Sequence, residues 1–412
     1  MSRFVAASLG IVTALGGFVD VGEIVFATQA GARFGYHLVW PVVLGAMAVA
    51  VYAEMCGRVA IVTGKPVFVV VRERLGLSLG FCTLVSSTAL NVLTCAAEVG
   101  GVAIAIRLLT HLPFGVGAAI TILVLVTIVS VLPFDTLERV FGFTGLLMLV
   151  FVAAAVALGI DWPAFVAGFV PNVPQGTSGG ALLSYAYFAV GLMAATVMPY
   201  EVQFYSSGEI EEGHDTSHLG VNAITAVVGF GFGSIVTISI IVLGAQVFQP
   251  LGIVPNLLGS SAAGPIVAFG TAGLLAAVLG ALFAIGGAAV ETSLSGAYAI
   301  AQFFGFEWGM QRSPWTVPRF TVSWLVIFAS AALILVTDVD PVELTEYAVI
   351  FSVLALPLTY APVLLVARDR STMGEHANSR VQDVVAMVFL LLIVVVAVTA
   401  VPFMYLSRMG QA

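Results

Sequence analysis

Six carboxylates lie inside long apolar stretches of this 412-residue chain, away from the ends of those stretches. They are Asp20, Glu23, Glu54, Glu98, Glu201 and Glu291. A charged side chain at the centre of a lipid bilayer costs about 2.5–3.5 kcal/mol on insertion scales, and residues retained there mark ion pathways or proton relays. Arg58 is one turn from Glu54 and can pair with it, but no lysine or arginine lies deep enough to neutralise most of the others. This excess of negative charge predicts binding of a cation, a proton, or both.

Two of these acidic segments contain residues that break a helix. The first is Gly16-Gly17-Phe18-Val19-Asp20-Val21-Gly22-Glu23, in which glycines flank an acid. The second is Ala195-Thr196-Val197-Met198-Pro199-Tyr200-Glu201, in which the proline removes a backbone donor and clashes with the preceding turn. Non-helical backbone at membrane depth is tolerated only where it is buried in protein or lines a cavity. We therefore expect both breaks to border one binding site.

The spacing of the residues at the two breaks suits a divalent metal ion. Asp20 and Glu23 are three residues apart, and Ala195, Met198 and Glu201 repeat this step, so each set shares a helix face where the backbone stays near helical geometry. Carboxylates, a backbone carbonyl and water suit Mg²⁺, Ca²⁺ or Mn²⁺. The thioether of Met198 disfavours the hardest ions and shifts the expectation toward Mn²⁺, Fe²⁺ or a similar ion. The residues leave the preferred ion open.

Several of the acids also have structural interpretations. Glu54 is explained by its pair with the arginine one turn away, and Glu98 is next to two glycines, where it can cap a packing contact. Glu291 is close to a threonine and two serines, so a hydrogen-bonded interior acid is as consistent as a transport role. Asp20 has the weakest structural explanation, because an acid in a glycine-rich break contributes little to packing.

The elements that must position these residues are transmembrane helices. The chain is 60% apolar and 9% charged, with a mean hydropathy of +1.11, whereas soluble domains carry about 25% charged residues. A helical span needs about 20 predominantly apolar residues. Apolar stretches of this length recur along the chain and predict an all-α integral membrane protein. Its eleven spans are expected near residues 4–32, 37–62, 78–109, 116–133, 140–160, 180–207, 219–248, 266–303, 317–337, 345–366 and 382–406.

The distribution of basic residues predicts the orientation of the spans. With a cytoplasmic N-terminus, the inside loops and span ends hold Arg3, Arg58, Lys65, Arg72, Arg74, Arg139, Arg312, Arg319, Arg368, Arg370 and Arg380. The outside set is Arg33, Arg107 and Arg408. Positive residues favour the cytoplasmic side of membrane proteins. We therefore expect a plasma (inner) membrane protein with its N-terminus inside and its C-terminus outside.

The positions of the two breaks predict an internal repeat. They fall in the first and sixth spans, and a repeat of five spans gives its two copies opposite orientations. We expect a single membrane domain over 1–412, with a first repeat at 4–160, an inverted second repeat at 180–366 and an extra span at 382–406. Inverted-repeat transporters bind their substrates near the membrane midplane, between broken helices.

Composition excludes several other classes of protein. Five histidines and three cysteines give neither a disulfide framework nor a zinc ligand set. A net charge of −8 and a single lysine provide no basic surface for nucleic acid. We expect no enzyme activity and no cofactor; the expected partners are a divalent metal ion as substrate and the lipid bilayer, and we expect a monomer.

Four segments of the chain resemble the Nramp family of divalent metal transporters, and their order and spacing agree with it over nearly the whole chain. Residues 28–40 resemble the family's first extracellular turn, and 97–106 its third span. Residues 195–199 resemble its sixth span, and the stretch from 356 to 378 its tenth span and following loop. The resemblance implies the leucine-transporter fold of two inverted five-span repeats, here with an additional C-terminal span.

The resemblance also implies roles for residues at the breaks. Asp20 matches the family's metal-binding aspartate, Ala195 its carbonyl ligand and Met198 its thioether ligand. Glu23 stands where the family has a ligand asparagine, and the carboxylate strengthens a site for a divalent cation. Glu201 follows in the same half-helix and is a further candidate ligand.

The residues that the resemblance associates with protons differ most from the family pattern. Tyr200 and Tyr205 stand in place of two histidines, and Cys95 in place of an aspartate, while the neighbouring Glu98 is kept. With Glu291, these form the candidate proton path or accessory set. Weak or absent proton coupling follows from these replacements.

We therefore expect a secondary transporter of divalent metal ions, manganese or a related transition metal. The first alternative is a magnesium transporter of the Nramp-related type, although that branch replaces the methionine that this chain keeps as Met198. The second is an organic-solute or amino-acid carrier on the same fold, and the third is a non-transporting receptor or sensor. Crowded negative charge argues against a substrate carboxylate, and the lack of a soluble signalling domain argues against a sensor.

Overall fold

The regular elements of the chain are helices. A computed structural model describes residues 19–174, 178–337 and 339–411, and within these ranges every regular element is an α-helix or a short 3₁₀ helix. The α-helices are α1 (Val21–Phe34), α2 (Val39–Thr63), α3 (Val67–Leu75), α4 (Leu77–Thr110), α5 (Phe114–Val131), α6 (Phe134–Gly145), α7 (Leu149–Ala157), α8 (Trp162–Ala167), α9 (Gly179–Thr196), α10 (Pro199–Glu211), α11 (Leu219–Val247), α12 (Ala263–Phe304), α13 (Pro318–Leu335), α14 (Pro341–Arg368), α15 (Arg370–Met373) and α16 (Arg380–Leu406).

Among the described residues, 10 helical stretches are long and apolar enough to cross a membrane. One of them, Val21–Thr63, contains both α1 and α2, which the 3₁₀ helix Gly35–Leu38 joins. The first predicted span, 4–32, begins outside the described residues. The all-helical membrane fold is therefore confirmed, whereas the count of eleven spans is not.

The predicted break in the sixth span is present. α9 ends at Thr196, Val197 leaves helical geometry at φ −121° and ψ 68°, and Met198 is extended at φ −83° and ψ 124°. Pro199 is the first residue of α10, where its missing N–H costs no helical hydrogen bond. The sequence 195–201 thus forms two half-helices separated by two non-helical residues.

The break in the first span is described only from residue 19 onward. Asp20 is extended, at φ −92° and ψ 177°, and is the N-cap of α1. The preceding glycines of the predicted break, Gly16 and Gly17, lie outside the described residues. The described part shows a half-helix that begins at Val21, next to the acid that the sequence places in the break.

The half-helix α1 lies in the interior of the helix bundle. All but one of its residues are buried, although it carries Glu23 and Gln29. Small residues allow close helix approach: a Cβ on Gly31 would lie 2.0 Å from the carbonyl oxygen of Ile241 on α11, and one on Gly191 of α9 would lie 2.2 Å from the ring of Phe26. Membrane helix interfaces use small residues in this way. α9 and α11 therefore hold α1 closely.

The predicted pair of Glu54 and Arg58 is also present. Arg58 Nε donates to Glu54 Oε1 at 2.7 Å, and the guanidinium also donates to the His376 carbonyl and to Asn378 Oδ1, each at 2.6 Å. Arg58 thus joins α2 to the chain between α15 and α16. The pair gives Glu54 a structural role, as its spacing of one helical turn from Arg58 predicts.

Candidate functional site

Asp20 is buried at the N-terminus of α1, with 1% of its surface exposed. Its Oδ1 accepts the backbone N–H of Glu23 at 2.7 Å, which is the ordinary bond of a helix N-cap. Its Oδ2 is buried and has no hydrogen-bond partner among the residues that the structure describes. The carboxylate therefore has one oxygen that holds the helix start and one that is free for a ligand.

Glu23 is fully buried, one helical turn after Asp20. Its Oε2 accepts a hydrogen bond from the hydroxyl of Thr237 on α11 at 3.0 Å. Its Oε1 is buried, and no described residue forms a hydrogen bond with it. Glu23 thus repeats the arrangement of Asp20, with one engaged oxygen and one free oxygen.

Glu98 of α4 reaches the same helix start. Its Oε2 accepts the backbone N–H of Val21 at 3.4 Å, while its Oε1 is buried and has no partner in the described part of the chain. Buried polar atoms are nearly always hydrogen-bonded, and an unpaired one costs about 1–3 kcal/mol or more when it is charged. Three carboxylates that each leave one such oxygen indicate a place that a cation or water completes.

The second break supplies different ligand types. Ala195 and Met198 are both buried, each with 1% of its surface exposed. The residue four positions after Ala195 is Pro199, which has no N–H, so the Ala195 carbonyl has no helical donor to bond. Carbonyls at the end of a helix also carry partial negative charge. The end of α9 therefore favours a cation.

The first turn of α10 adds two more buried polar side chains. Within the described ranges, neither carboxylate oxygen of Glu201 has a hydrogen-bond partner, and the hydroxyl of Tyr200 also has none. Glu201 is within electrostatic range of four other acids, namely Asp20, Glu23, Glu98 and the half-buried Glu291 of α12. Of the six acids that the sequence places inside apolar stretches, five therefore lie in one region of the interior.

The acidic side chains alone do not supply the full set of ligands that a metal ion needs. Across the described ranges, histidine, cysteine, aspartate and glutamate side chains form no group of three or more placed to hold a metal ion. A cation at Asp20 and Glu23 would therefore take its other ligands from a carbonyl, a thioether or water. Those are the groups that Ala195 and Met198 offer.

Two residues of the predicted accessory set, Tyr205 and Cys95, form hydrogen bonds with groups on neighbouring helices. The hydroxyl of Tyr205 donates to Asn222 Oδ1 on α11 at 2.9 Å, further along α10 from the break. The thiol of Cys95 lies 3.8 Å from the Ala289 carbonyl on α12. Tyr205 thus serves a contact between helices, and Cys95 lies one turn before Glu98.

Thr237 is a site residue that the sequence reasoning missed. It lies within a long apolar helix, where a threonine ordinarily bonds the carbonyl four residues earlier. No sequence signal shows that its side chain reaches Glu23, because the two residues are 214 positions apart. A buried hydroxyl opposite an unpaired acid is recognised only in three dimensions.

Two half-helices that meet near buried acids, inside an all-helical membrane bundle, define a multi-pass membrane protein of the broken-helix transporter class. The family model for "natural resistance-associated macrophage protein-like" proteins, Nramp, matches residues 10–402. The chain belongs to the Nramp family, and it is a transporter and not an enzyme.

Curated relatives cover most of the chain at low identity. A protein of Acidiphilium cryptum named divalent metal cation transporter MntH is 27% identical over 376 residues, covering 87% of this chain and 82% of the relative. The protein of the same name from Deinococcus radiodurans is 26% identical over 400 residues, covering 92% and 85%. The chain is thus a distant relative of both along nearly its full length.

Solved structures show the same fold. The Eremococcus coleocola manganese transporter, crystallised with an aromatic bis-isothiourea compound, aligns with a TM-score of 0.77 and 18% identity, covering 98% of this chain and 87% of that one. A nucleobase-cation-symport-1 family transporter in a closed conformation aligns with a TM-score of 0.61 and 14% identity, covering 98% and 92%. These alignments confirm the leucine-transporter type of fold that the sequence predicts.

Proposed function

We propose that this protein is a secondary transporter of divalent metal ions, with manganese or a related transition metal as its substrate. Asp20, Glu23, Ala195 and Met198 are the proposed ligands, and Glu201 joins them in part of the cycle. The observation that carries the proposal is a set of buried carboxylate oxygens at the start of α1 that have no partner among the described residues. A bound metal ion, a proton or water would satisfy them. The names of the relatives from Acidiphilium cryptum and Deinococcus radiodurans support it.

The charge of the region favours a divalent ion over a neutral or anionic solute. The charges that act on Glu201 are those of four other acids, and all are negative when ionised. A substrate carboxylate placed among them would be repelled, whereas an ion of charge +2 offsets two of them at once. This argument disfavours the organic-solute and amino-acid alternative.

The thioether distinguishes the two metal alternatives. Oxygen ligands from Asp20 and Glu23 alone would suit Mg²⁺, which takes carboxylates and water in octahedral geometry. Met198 is buried at the break, where a soft ligand favours Mn²⁺ or Fe²⁺. Magnesium therefore remains the second candidate, favoured only by the extra carboxylate of Glu23.

We further propose that transport needs little or no proton movement. Tyr200, Tyr205 and Cys95 carry phenol and thiol groups, which ordinarily stay protonated near neutral pH and carry few protons. A membrane potential of 100 mV supplies about 2.3 kcal/mol per charge, hence about 4.6 kcal/mol for a divalent ion. That energy suffices for accumulation of the metal without protons.

For the arrangement of the chain in the membrane, we propose the repeats and the orientation that the sequence predicts. The transporter forms one domain in the plasma membrane, with repeats at 4–160 and 180–366, an extra span at 382–406, and its N-terminus in the cytoplasm. The excess of basic residues in the loops assigned to the inside supports this orientation. We propose a monomer as the transporting unit.

Thermal stabilisation of the purified protein by a panel of ions tests the function. Mn²⁺ and Fe²⁺ are expected to raise Tm more than Mg²⁺ or Ca²⁺, because ligands that bind only the folded state stabilise it. Asp20→Asn keeps the N-cap bond, since asparagine caps helices as well as aspartate does, but it removes the charge. This variant is expected to fold and to lose metal-dependent stabilisation. Unchanged metal affinity of Asp20→Asn in isothermal titration would overturn the site.

A further inference from the structure

Thr237 makes a hydrogen bond that sets it apart from the other hydroxyl residues of α11. Ser234 donates to the carbonyl of Phe230 at 2.9 Å, and Ser239 donates to that of Ile235 at 2.8 Å, the usual bond within a helix. The Thr237 oxygen is 3.5 Å from the corresponding carbonyl, that of Gly233, but only 3.0 Å from Glu23 Oε2. A hydroxyl has one proton to donate, so Thr237 gives it to Glu23.

This hydrogen bond determines which part of Glu23 is available to an ion. Oε2 accepts the hydrogen bond of Thr237, and Oε1 is buried and unpaired with respect to the described residues. Oε2 gives one of its lone pairs to the Thr237 hydroxyl, whereas both lone pairs of Oε1 are available, so this hydrogen bond favours binding of an ion through Oε1 alone. Both residues are fully buried, so water cannot replace the threonine as that donor without entering the packed interior.

The number of oxygens that a carboxylate offers bears on the size of the ion. Ca²⁺ takes six to eight ligands at 2.3–2.6 Å and commonly binds carboxylates through both oxygens. Mg²⁺ needs six ligands in a near-ideal octahedron at shorter distances, about 2.0–2.1 Å, and takes carboxylates through one oxygen. Binding through one oxygen of Glu23 therefore disfavours a large ion of high coordination number.

We propose that Thr237 is a positioning residue that presents Glu23 to the ion through Oε1 and thereby favours a smaller octahedral ion, such as Mn²⁺, over Ca²⁺. The proposal rests on the proposed function, because it assumes that Glu23 binds the transported ion. Thr237 does not touch the metal; it acts through the carboxylate that does.

The matched variants Thr237→Val and Thr237→Ser test this role. Valine has nearly the shape of threonine without the hydroxyl, whereas serine keeps the hydroxyl without the methyl group. Groups that orient metal ligands typically contribute about 10–100-fold to metal affinity. In isothermal titration of the purified full-length protein with MnCl₂ and CaCl₂, Thr237→Val is expected to lower the preference for Mn²⁺ over Ca²⁺ by about 10-fold or more. Thr237→Ser is expected to keep the wild-type preference.

Ser234→Ala is the control, since the Ser234 hydroxyl donates to the backbone of its own helix. It should leave the Mn²⁺ to Ca²⁺ ratio unchanged. An unchanged ratio in Thr237→Val overturns the positioning role, and so does an equal loss of both ions in the valine and serine variants, which would indicate packing alone. Asp20→Asn separates the two hypotheses: if it abolishes Mn²⁺ binding while Thr237→Val keeps the ratio, the proposed function stands and the role of Thr237 falls.

Discussion

The Glu98 side chain on α4 accepts the backbone N–H of Val21, the first residue of α1, at 3.4 Å. The first N–H groups of a helix have no partner within the helix, so this bond satisfies one of them from another element. It also places the Glu98 carboxylate beside Asp20, which caps the same turn. Glu98 therefore has a structural role at the helix start, whether or not it carries protons.

Glu98→Gln separates these two roles. The glutamine carbonyl still accepts the Val21 N–H, so the variant is expected to fold and to transport metal at a rate close to wild type. The measurement uses proteoliposomes with a pH dye and a metal dye, at a potential held by potassium and valinomycin. The wild-type protein is expected to accumulate Mn²⁺ according to the potential, without a fixed ratio of protons to metal.

One result in that assay would contradict weak coupling. Steady metal-dependent acidification in wild type, lost in Glu98→Gln, would show that Glu98 alone sustains proton transport. Asp20→Asn liposomes serve as the control, because they lack the proposed metal site and should show neither signal above the background of empty liposomes.

Met198→Ala tests the thioether. Removing the soft ligand should improve Mg²⁺ binding relative to Mn²⁺, because the penalty on hard ions is lost. The Kd values of the two ions are measured by isothermal titration in wild type and variant. Met193→Ala is a matched control, since Met193 is also buried and lies within the body of α9. If both variants change the ratio equally, Met198 acts through packing and not as a ligand.

Local signals in the sequence predicted the membrane helices well. The spans predicted at 78–109 and 382–406 correspond to Leu77–Thr110 and Arg380–Leu406, because apolar runs between polar ends fix where a helix lies in a membrane. The break at Pro199 was predictable for the same reason, since proline acts on its own turn. The kink of α12 at Gly270, where φ is 61° and ψ is −141°, was not predicted, because one glycine among many in apolar helices gives no separate signal.

Contacts between distant residues were the part that sequence could not supply. The types of the acids indicated a cation site, but the bond of Glu23 to Thr237 and that of Glu98 to Val21 depend on how three helices pack. Serine and threonine are ordinary in membrane helices, where they bond their own backbone. In the sequence, a threonine that donates to an acid on another helix cannot be distinguished from one that bonds its own backbone.

The ion pair of Arg58 with Glu54 leads to a prediction about the stability of the fold and not about transport. Its side chain is 8% exposed and that of Glu54 is 21% exposed, so Arg58→Met leaves a poorly hydrated carboxylate without its partner. Breaking such a buried pair costs about 3 kcal/mol or more of unfolding free energy. Chemical denaturation in detergent micelles measures the loss.

The control for Arg58 is an ion pair on the surface. Lys65 bonds Glu73 at 2.7 Å, with both side chains well exposed, and exposed pairs contribute less than about 1 kcal/mol. Lys65→Gln should therefore change stability far less than Arg58→Met. Equal effects of the two substitutions would refute a special structural role for Arg58.

His214, in the turn after α10, makes the stability of the protein depend on pH. Its Nδ1 lies 2.6 Å from Glu209 Oε2, and its Nε2 lies 3.2 Å from Glu212 Oε2. Burial by itself would lower the pKa of His214, but the hydrogen bond to Glu209 and the charges of Glu209, Glu212 and Asp215 outweigh it and raise the pKa above the ordinary value of 6.5. The folded state therefore binds the proton more tightly than the unfolded state.

The sign of the pH effect follows from linkage. The stabilisation by His214 is fully present below the unfolded pKa and is lost as pH rises through the higher folded pKa. Thermal unfolding from pH 5.5 to 8.5 should show a larger fall in Tm for wild type than for His214→Gln, whose amide does not titrate. His111→Asn is the control, because His111 is exposed, has φ 59°, and asparagine tolerates that conformation. Parallel Tm curves for wild type and His214→Gln across this range would show that the Glu209–His214 contact does not contribute to folding.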